Sequence, residues 1–268
     1  KVGKQPTRKL NPMSRARGGR QHHRCCSIAT DVRGTRMTKS NTENYFESRE
    51  EASVAAAREI AKCLSGRLNL QKRASLVVTG GSSPARCYEE LSELPLDWKR
   101  THIVLSDERW VPSDDDDSNE RLVRHTLLQR EAAEAMLLPV FHSTRSIEAR
   151  CDEIDKEIRD LPFPFACTLL GMGEDGHIAS LFPDAANLDE GLDVDNEQLC
   201  IPVETAASPH PRVSLTLAAI ARSDAVVLLM FGDSKREVYE QAKARGSKLP
   251  VARLLKQKKA PVHLYWAP

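Results

Sequence analysis

A chain of 268 residues that is 40% hydrophobic can bury one sizeable α/β core or two small ones. Its longest clean apolar run, residues 225–231, falls far short of the roughly 20 residues that cross a bilayer, so no membrane span and a soluble protein are expected. The net charge of +1 hides an asymmetry: residues 1–36 hold ten Lys and Arg against one acid, Asp31, while the remainder carries 29 basic and 37 acidic side chains, a balance that repels nucleic acid and demands local cations for any anionic substrate.

The basic lead, residues 1–36, has RARGGRQHHRCC at its centre, lacks apolar periodicity and is expected to be disordered. It reads as a processing or transit segment, a nucleic-acid-binding arm, or translated sequence ahead of a start at Met37. His22, His23, Cys25 and Cys26 crowd together there, but neighbouring ligands on a floppy segment rarely close a tetrahedral site, and they read as incidental. The seven Cys include no C-x-x-C pair, which suits buried thiols in a reducing, cytoplasmic setting.

Beyond the lead, residues 46–64 place Val54, Ala57, Ile60, Ala61 and Leu64 on one helical face. Residues 74–79 form an apolar strand, and a helix over 84–94 follows, with Ser83 as N-cap and Pro84 in first position. The alternation continues with a strand at 102–106, helices at 119–129 and 147–159, strands at 167–170 and 225–231, a helix at 234–244 and a strand at 262–266. Strands separated by helices predict a single α/β domain over residues 40–268, its mostly parallel sheet covered by helices on both faces. The SDDDD run at 113–117 reads as a solvated loop placed where a lid could lie.

Ligands collect beyond the carboxyl ends of parallel strands, and three turns there are chemically loaded. In TGGSSP, Gly80 and Gly81 permit a sharp turn while Ser82 and Ser83 add hydroxyls beside free helix amides, a geometry that suits phosphate or simply caps a helix. In SDERWVP, Asp107, Glu108 and Arg109 stand at a strand end, where Arg109 can clamp an anion and a carboxylate can orient it, or all three can form a local salt-bridge network.

The third turn, GMGEDGHIASLFP, spaces Gly171, Gly173 and Gly176 as G-x-G-x-x-G, the pattern of a dinucleotide turn. Glu174 and Asp175 would set two negative charges against a diphosphate, and Pro183 cuts the following helix short, so nucleotide binding is rejected. The glycines instead bring Asp175 and His177 close to a small ligand, an arrangement suited to general acid/base work.

Taken in order, TGGSSP, SDERWVP with DSN after it, GMGEDGHIASLFP, PRVSLTL and the GDSK of residues 232–235 resemble the motif series of the 6-phosphogluconolactonase family, over roughly residue 46 to the C-terminus. The resemblance implies a Rossmann-like α/β fold related to glucosamine-6-phosphate deaminase. It implies hydrolysis of a phosphorylated sugar lactone with no cofactor and no metal, by a monomer or weak homodimer. Carried over by position, His177 is the general base, Asp175 its electrostatic support, and Gly81, Ser82, Ser83, Asp107, Arg109, Arg212 and Lys235 bind substrate and its phosphate. Backbone amides or Arg109 meet the oxyanion. A deaminase or isomerase of the related fold would continue its DGHIA motif with N-E-P where this chain has Leu181, Phe182 and Pro183. A phosphosugar-binding regulator without turnover would have no need of His177 beside Asp175.

Overall fold

Ten strands and eight helices follow one another in the computed structural model, which describes Gly3 and residues 40–268. The lead, its His and Cys cluster and Met37 lie outside the described residues. In chain order the elements are β1 (Thr42–Tyr45), α1 (Arg49–Leu70), β2 (Ala74–Val78), α2 (Ala85–Ser92), β3 (Thr101–Leu105), β4 (Asp107–Arg109), α3 (Asn119–Thr126), β5 (Met136–Leu137), α4 (Ile147–Arg159), β6 (Cys167–Leu170), α5 (Leu188–Gly191), β7 (Cys200–Val203), β8 (Arg212–Leu215), α6 (Leu217–Ile220), β9 (Val226–Phe231), α7 (Asp233–Lys243), α8 (Pro250–Lys256) and β10 (Val262–Ala267).

Local chemistry sets several of these limits. α1 begins later than its apolar pattern predicts because the Phe46 N–H donates to the Trp266 carbonyl, continuing the β1 edge, and the Ser48 hydroxyl then caps the helix by accepting from the Glu51 N–H at 3.2 Å. It also runs past residue 64, because Leu68 extends the buried stripe of Ala57, Ile60 and Leu64 by another turn. α2 corrects an expectation: Pro84, not Ser83, occupies the N-cap, and no side chain caps that helix. Pro84 has helical φ and ψ, so the chain enters the helix without using the Ser83 hydroxyl.

Seven strands form an all-parallel sheet in the order β1-β10-β9-β6-β2-β3-β5. Strands β2 and β10 are buried along their whole length and β9 along all but its last residue, as expected where helices cover both faces of a parallel sheet. The connections β1–β2, β2–β3 and β3–β5 step one way across the sheet and β5–β6, β6–β9 and β9–β10 step back. Right-handed crossovers therefore put α1 to α3 on one face and α4, α7 and α8 on the other. The chain leaves the adjacent strands β2 and β6 in opposite directions, which makes their carboxyl ends the switch point of the sheet. TGGSSP leaves β2 and GMGEDGH leaves β6, so two of the loaded turns share one crevice.

A second sheet was not anticipated from the sequence: β4, β8 and β7 pair antiparallel in that order. Ser106 joins the two sheets, its N–H donating to Val78 O at 2.7 Å and its carbonyl accepting from Leu215 N–H at 2.8 Å. Asp107, Glu108 and Arg109, read as standing at a strand end, thus form a strand of the second sheet. Among the described residues no helix is long and apolar enough to cross a membrane, and the five cysteines there are free.

Candidate active site

The turn after β6 holds a His–Asp pair. Asp175 Oδ1 lies 2.6 Å from His177 Nδ1 and accepts the His177 backbone N–H at 3.1 Å, so one carboxylate oxygen fixes both ring and main chain. The turn closes through Gly173 N–H to His177 O at 3.0 Å and Gly176 N–H to Gly173 O at 3.1 Å. A Cβ on Gly173 would collide with the His177 ring and with Asp175 Oδ1, so the glycine is required by the catalytic-looking pair and not by a nucleotide. The ring of Phe182 lies against His177, centroids 4.2 Å apart. With Nδ1 engaged by Asp175, Nε2 is the nitrogen left to exchange a proton.

The turn after β2 is braced from beneath. The buried Tyr88 hydroxyl accepts from Thr79 N–H at 2.9 Å and donates to Thr79 O at 2.5 Å. A Cβ on Gly80 would fall on the Asn119 side chain, and Gly81 turns the chain with φ 85°. Ser82 and Ser83 line an open cleft of about 510 Å³ together with Lys235 of α7. Lys235 is half-buried and has no ion-pair partner among the described residues. Beside it, Ser234 donates to Glu174 Oε1 at 3.2 Å, which ties the start of α7 to the turn that carries Asp175 and His177.

The turn after β3 supplies a buried polar network. Glu108 accepts the Asn119 and Glu120 N–H groups at 2.7 Å each and the Arg109 N–H at 2.8 Å, so it caps α3 from another strand. Burial raises its pKa, and those N–H donors oppose the rise. Arg109 donates from Nη1 to Asp117 O at 2.6 Å and to Asn119 Oδ1 at 2.9 Å. Directly across the β4–β8 pair stands Arg212. Its guanidinium sits 5.2 Å from the Phe182 ring centre and 3.7 Å from Asp107 Oδ2, and it donates to Ser180 Oγ at 3.4 Å. Burial lowers the Arg212 pKa; Asp107 works against that, while Arg109 adds to it.

Asp107 is buried, with Oδ1 accepting from Ser106 Oγ at 2.7 Å and Oδ2 from Ser180 Oγ at 2.6 Å, so it ties Ser180 to the start of β4 beside Arg212. The remaining residues singled out from the sequence fall into two groups. Ser82, Ser83 and Lys235 share the cleft, and Arg109 and Arg212 pair beside Phe182 and His177. Asn119, Ser180 and Phe182 join them although the sequence reading assigned them no role. Each lies inside a motif already quoted, DSN or GHIASLFP, but joins a side chain on a strand of the second sheet: Asn119 meets Arg109, Ser180 meets Asp107 and Phe182 meets Arg212.

Residues 47–266 match the family described as glucosamine-6-phosphate isomerases/6-phosphogluconolactonase. A 6-phosphogluconolactonase of Mesorhizobium japonicum is 37% identical over 225 residues, 84% of this chain and 94% of that protein. One from Pseudomonas aeruginosa is 39% identical over 223 residues, 82% and 92% of the two chains. The crystal structure of a 6-phosphogluconolactonase from Shewanella baltica superposes with a TM-score of 0.81 at 35% identity, covering 87% of this chain and 100% of the other. With its parallel sheet, its switch-point crevice and its His–Asp turn, the chain belongs to the glucosamine-6-phosphate isomerase/6-phosphogluconolactonase family.

Proposed function

We propose that this chain is a cytoplasmic hydrolase that converts 6-phospho-D-glucono-1,5-lactone to 6-phospho-D-gluconate, the second step of the oxidative pentose phosphate pathway. The observation that carries the reading is the Asp175–His177 pair on the turn after β6, and the cleft lined by Ser82, Ser83 and Lys235 supports it. The relatives named 6-phosphogluconolactonase support it, since this chain spans more than nine tenths of their length.

In this reading Ser82, Ser83 and the open amino end of α2 bind the phosphate, with Lys235 as its counter-charge. The lactone ring extends toward Phe182 and His177. His177 Nε2 takes a proton from water as the water oxygen bonds to C1, and Asp175 stabilises the imidazolium that forms. Arg109 and Arg212 meet the charge growing on the carbonyl oxygen. The C1–ring-oxygen bond then breaks, and the imidazolium returns its proton to that oxygen, leaving the open acid and the starting histidine.

The test is lactone loss in a coupled assay, with spontaneous ring opening subtracted. Accelerated hydrolysis of the phosphorylated lactone is expected. Ammonia release from glucosamine 6-phosphate, or binding of 6-phosphogluconate without any acceleration, would overturn the reading in favour of a deaminase or a binding protein.

A further inference from the structure

The cleft that holds Ser82, Ser83 and Lys235 has a third wall that no motif pointed to. Arg49 and Ser53, in the first turns of α1, line it as well. Ser53 is 1% exposed, and its hydroxyl has no hydrogen-bond partner among the described residues. An unpaired buried hydroxyl costs free energy, and this one lies where the amino ends of α1, α2 and α7 converge, each contributing partial positive charge.

The cations of the cleft are not equivalent. Arg86 is already engaged, donating from Nε to Glu50 at 2.8 and 2.9 Å and from Nη2 to Glu90 at 3.1 Å. That pairing also neutralises the one acid of the first turn of α1 that faces the cleft, and Arg86 holds the Glu50 carboxyl below its ordinary pKa. Arg49 is held differently: its guanidinium lies 5.5 Å from the Phe231 ring centre, and Nε donates to Pro268 O at 3.0 Å. Both contacts fix the group at the cleft, and no Asp or Glu side chain pairs with it among the described residues.

We infer that Ser53 and Arg49 of α1 complete the phosphate site, the hydroxyl and the guanidinium both donating to phosphoryl oxygens, and that α1 thereby sets the preference for a phosphorylated over an unphosphorylated lactone. The inference rests on the lactonase reading for its substrate, but the anion site it describes can be measured without turnover.

The experiment uses the full chain and two variants, Ser53→Ala and Arg49→Gln. Binding of inorganic phosphate is measured by calorimetry, and kcat/KM is measured for 6-phosphogluconolactone and for glucono-1,5-lactone. Losing a hydrogen bond to a charged group should weaken phosphate binding by roughly tenfold or more in each variant and lower the ratio of the two kcat/KM values by a similar factor. Ser53→Ala should melt no lower than the parent, because the hydroxyl it removes is unpaired. Wild-type phosphate affinity and an unchanged ratio in both variants would overturn the inference while leaving the lactonase reading intact. A lowered melting temperature with equal losses on both lactones would also overturn it, by making Ser53 a packing residue. Should the parent hydrolyse neither lactone while the variants still lose phosphate affinity, the lactonase reading fails and the anion site stands.

Discussion

Arg109 and Arg212 face each other across the β4–β8 pair, and each has a guanidinium Nε that is buried without a hydrogen-bond partner among the described residues. Like charges directly opposed on a sheet destabilise it, and buried unpaired donors add to that. Asp107 lies 3.7 Å from the Arg212 guanidinium, and its oxygens are already shared with Ser106 and Ser180. An anion received between the two arginines would relieve both costs.

Arg212→Met tests that relationship. The oxyanion role assigns it a loss of roughly 10²–10³ in kcat/KM, the usual effect of removing one donor from such a site. Thermal stability of the free protein should change little, since relief of the Arg109–Arg212 repulsion offsets the lost contacts to Phe182 and Ser180. A large fall in melting temperature, with activity per folded molecule preserved, would make Arg212 a structural residue.

His177→Ala should lower the rate of lactone hydrolysis by something like 10²–10⁴, the usual contribution of a positioned base, with binding of 6-phosphogluconate little changed. A folded variant with the parental rate would exclude His177 as the base.

Gly173→Ala probes the same pair from the backbone. The added methyl collides with the His177 ring and Asp175 Oδ1, so the turn must shift and the pair must separate. Activity should approach that of His177→Ala while circular dichroism stays native, since the collision is confined to this turn. Binding of NAD that is abolished by the same change would instead restore the dinucleotide reading.

Lys235→Ala should raise KM for the phosphorylated lactone. One charge-assisted contact is worth about 1.5–3 kcal/mol, or roughly ten- to a hundred-fold in affinity. Kinetics on unphosphorylated gluconolactone should be far less affected, and an equal loss on both substrates would remove Lys235 from the phosphate site.

What the sequence determined by itself was local. The period of residues 147–159 and the apolar run at 167–170 reappear as α4 and β6 residue for residue, because amphipathic spacing and a buried strand are written in consecutive side chains. The Asp175–His177 pair was legible for the same reason: the two residues are two positions apart, and glycines mark the turn that joins them. Strands β4, β7 and β8 were not, since segments of three or four residues acquire strand geometry only from their neighbours. Only tertiary structure could set Arg212 opposite Arg109, seat Ser180 on Asp107, or bring Glu108 to the first amides of α3. It likewise brought Arg49 and Ser53 to the Ser82–Ser83 turn, because the α1 crossover starts beside strands that the chain reaches only later. The chemistry of single turns is carried by short-range sequence, but the charge balance of the crevice between them depends on which distant strands the parallel sheet makes adjacent.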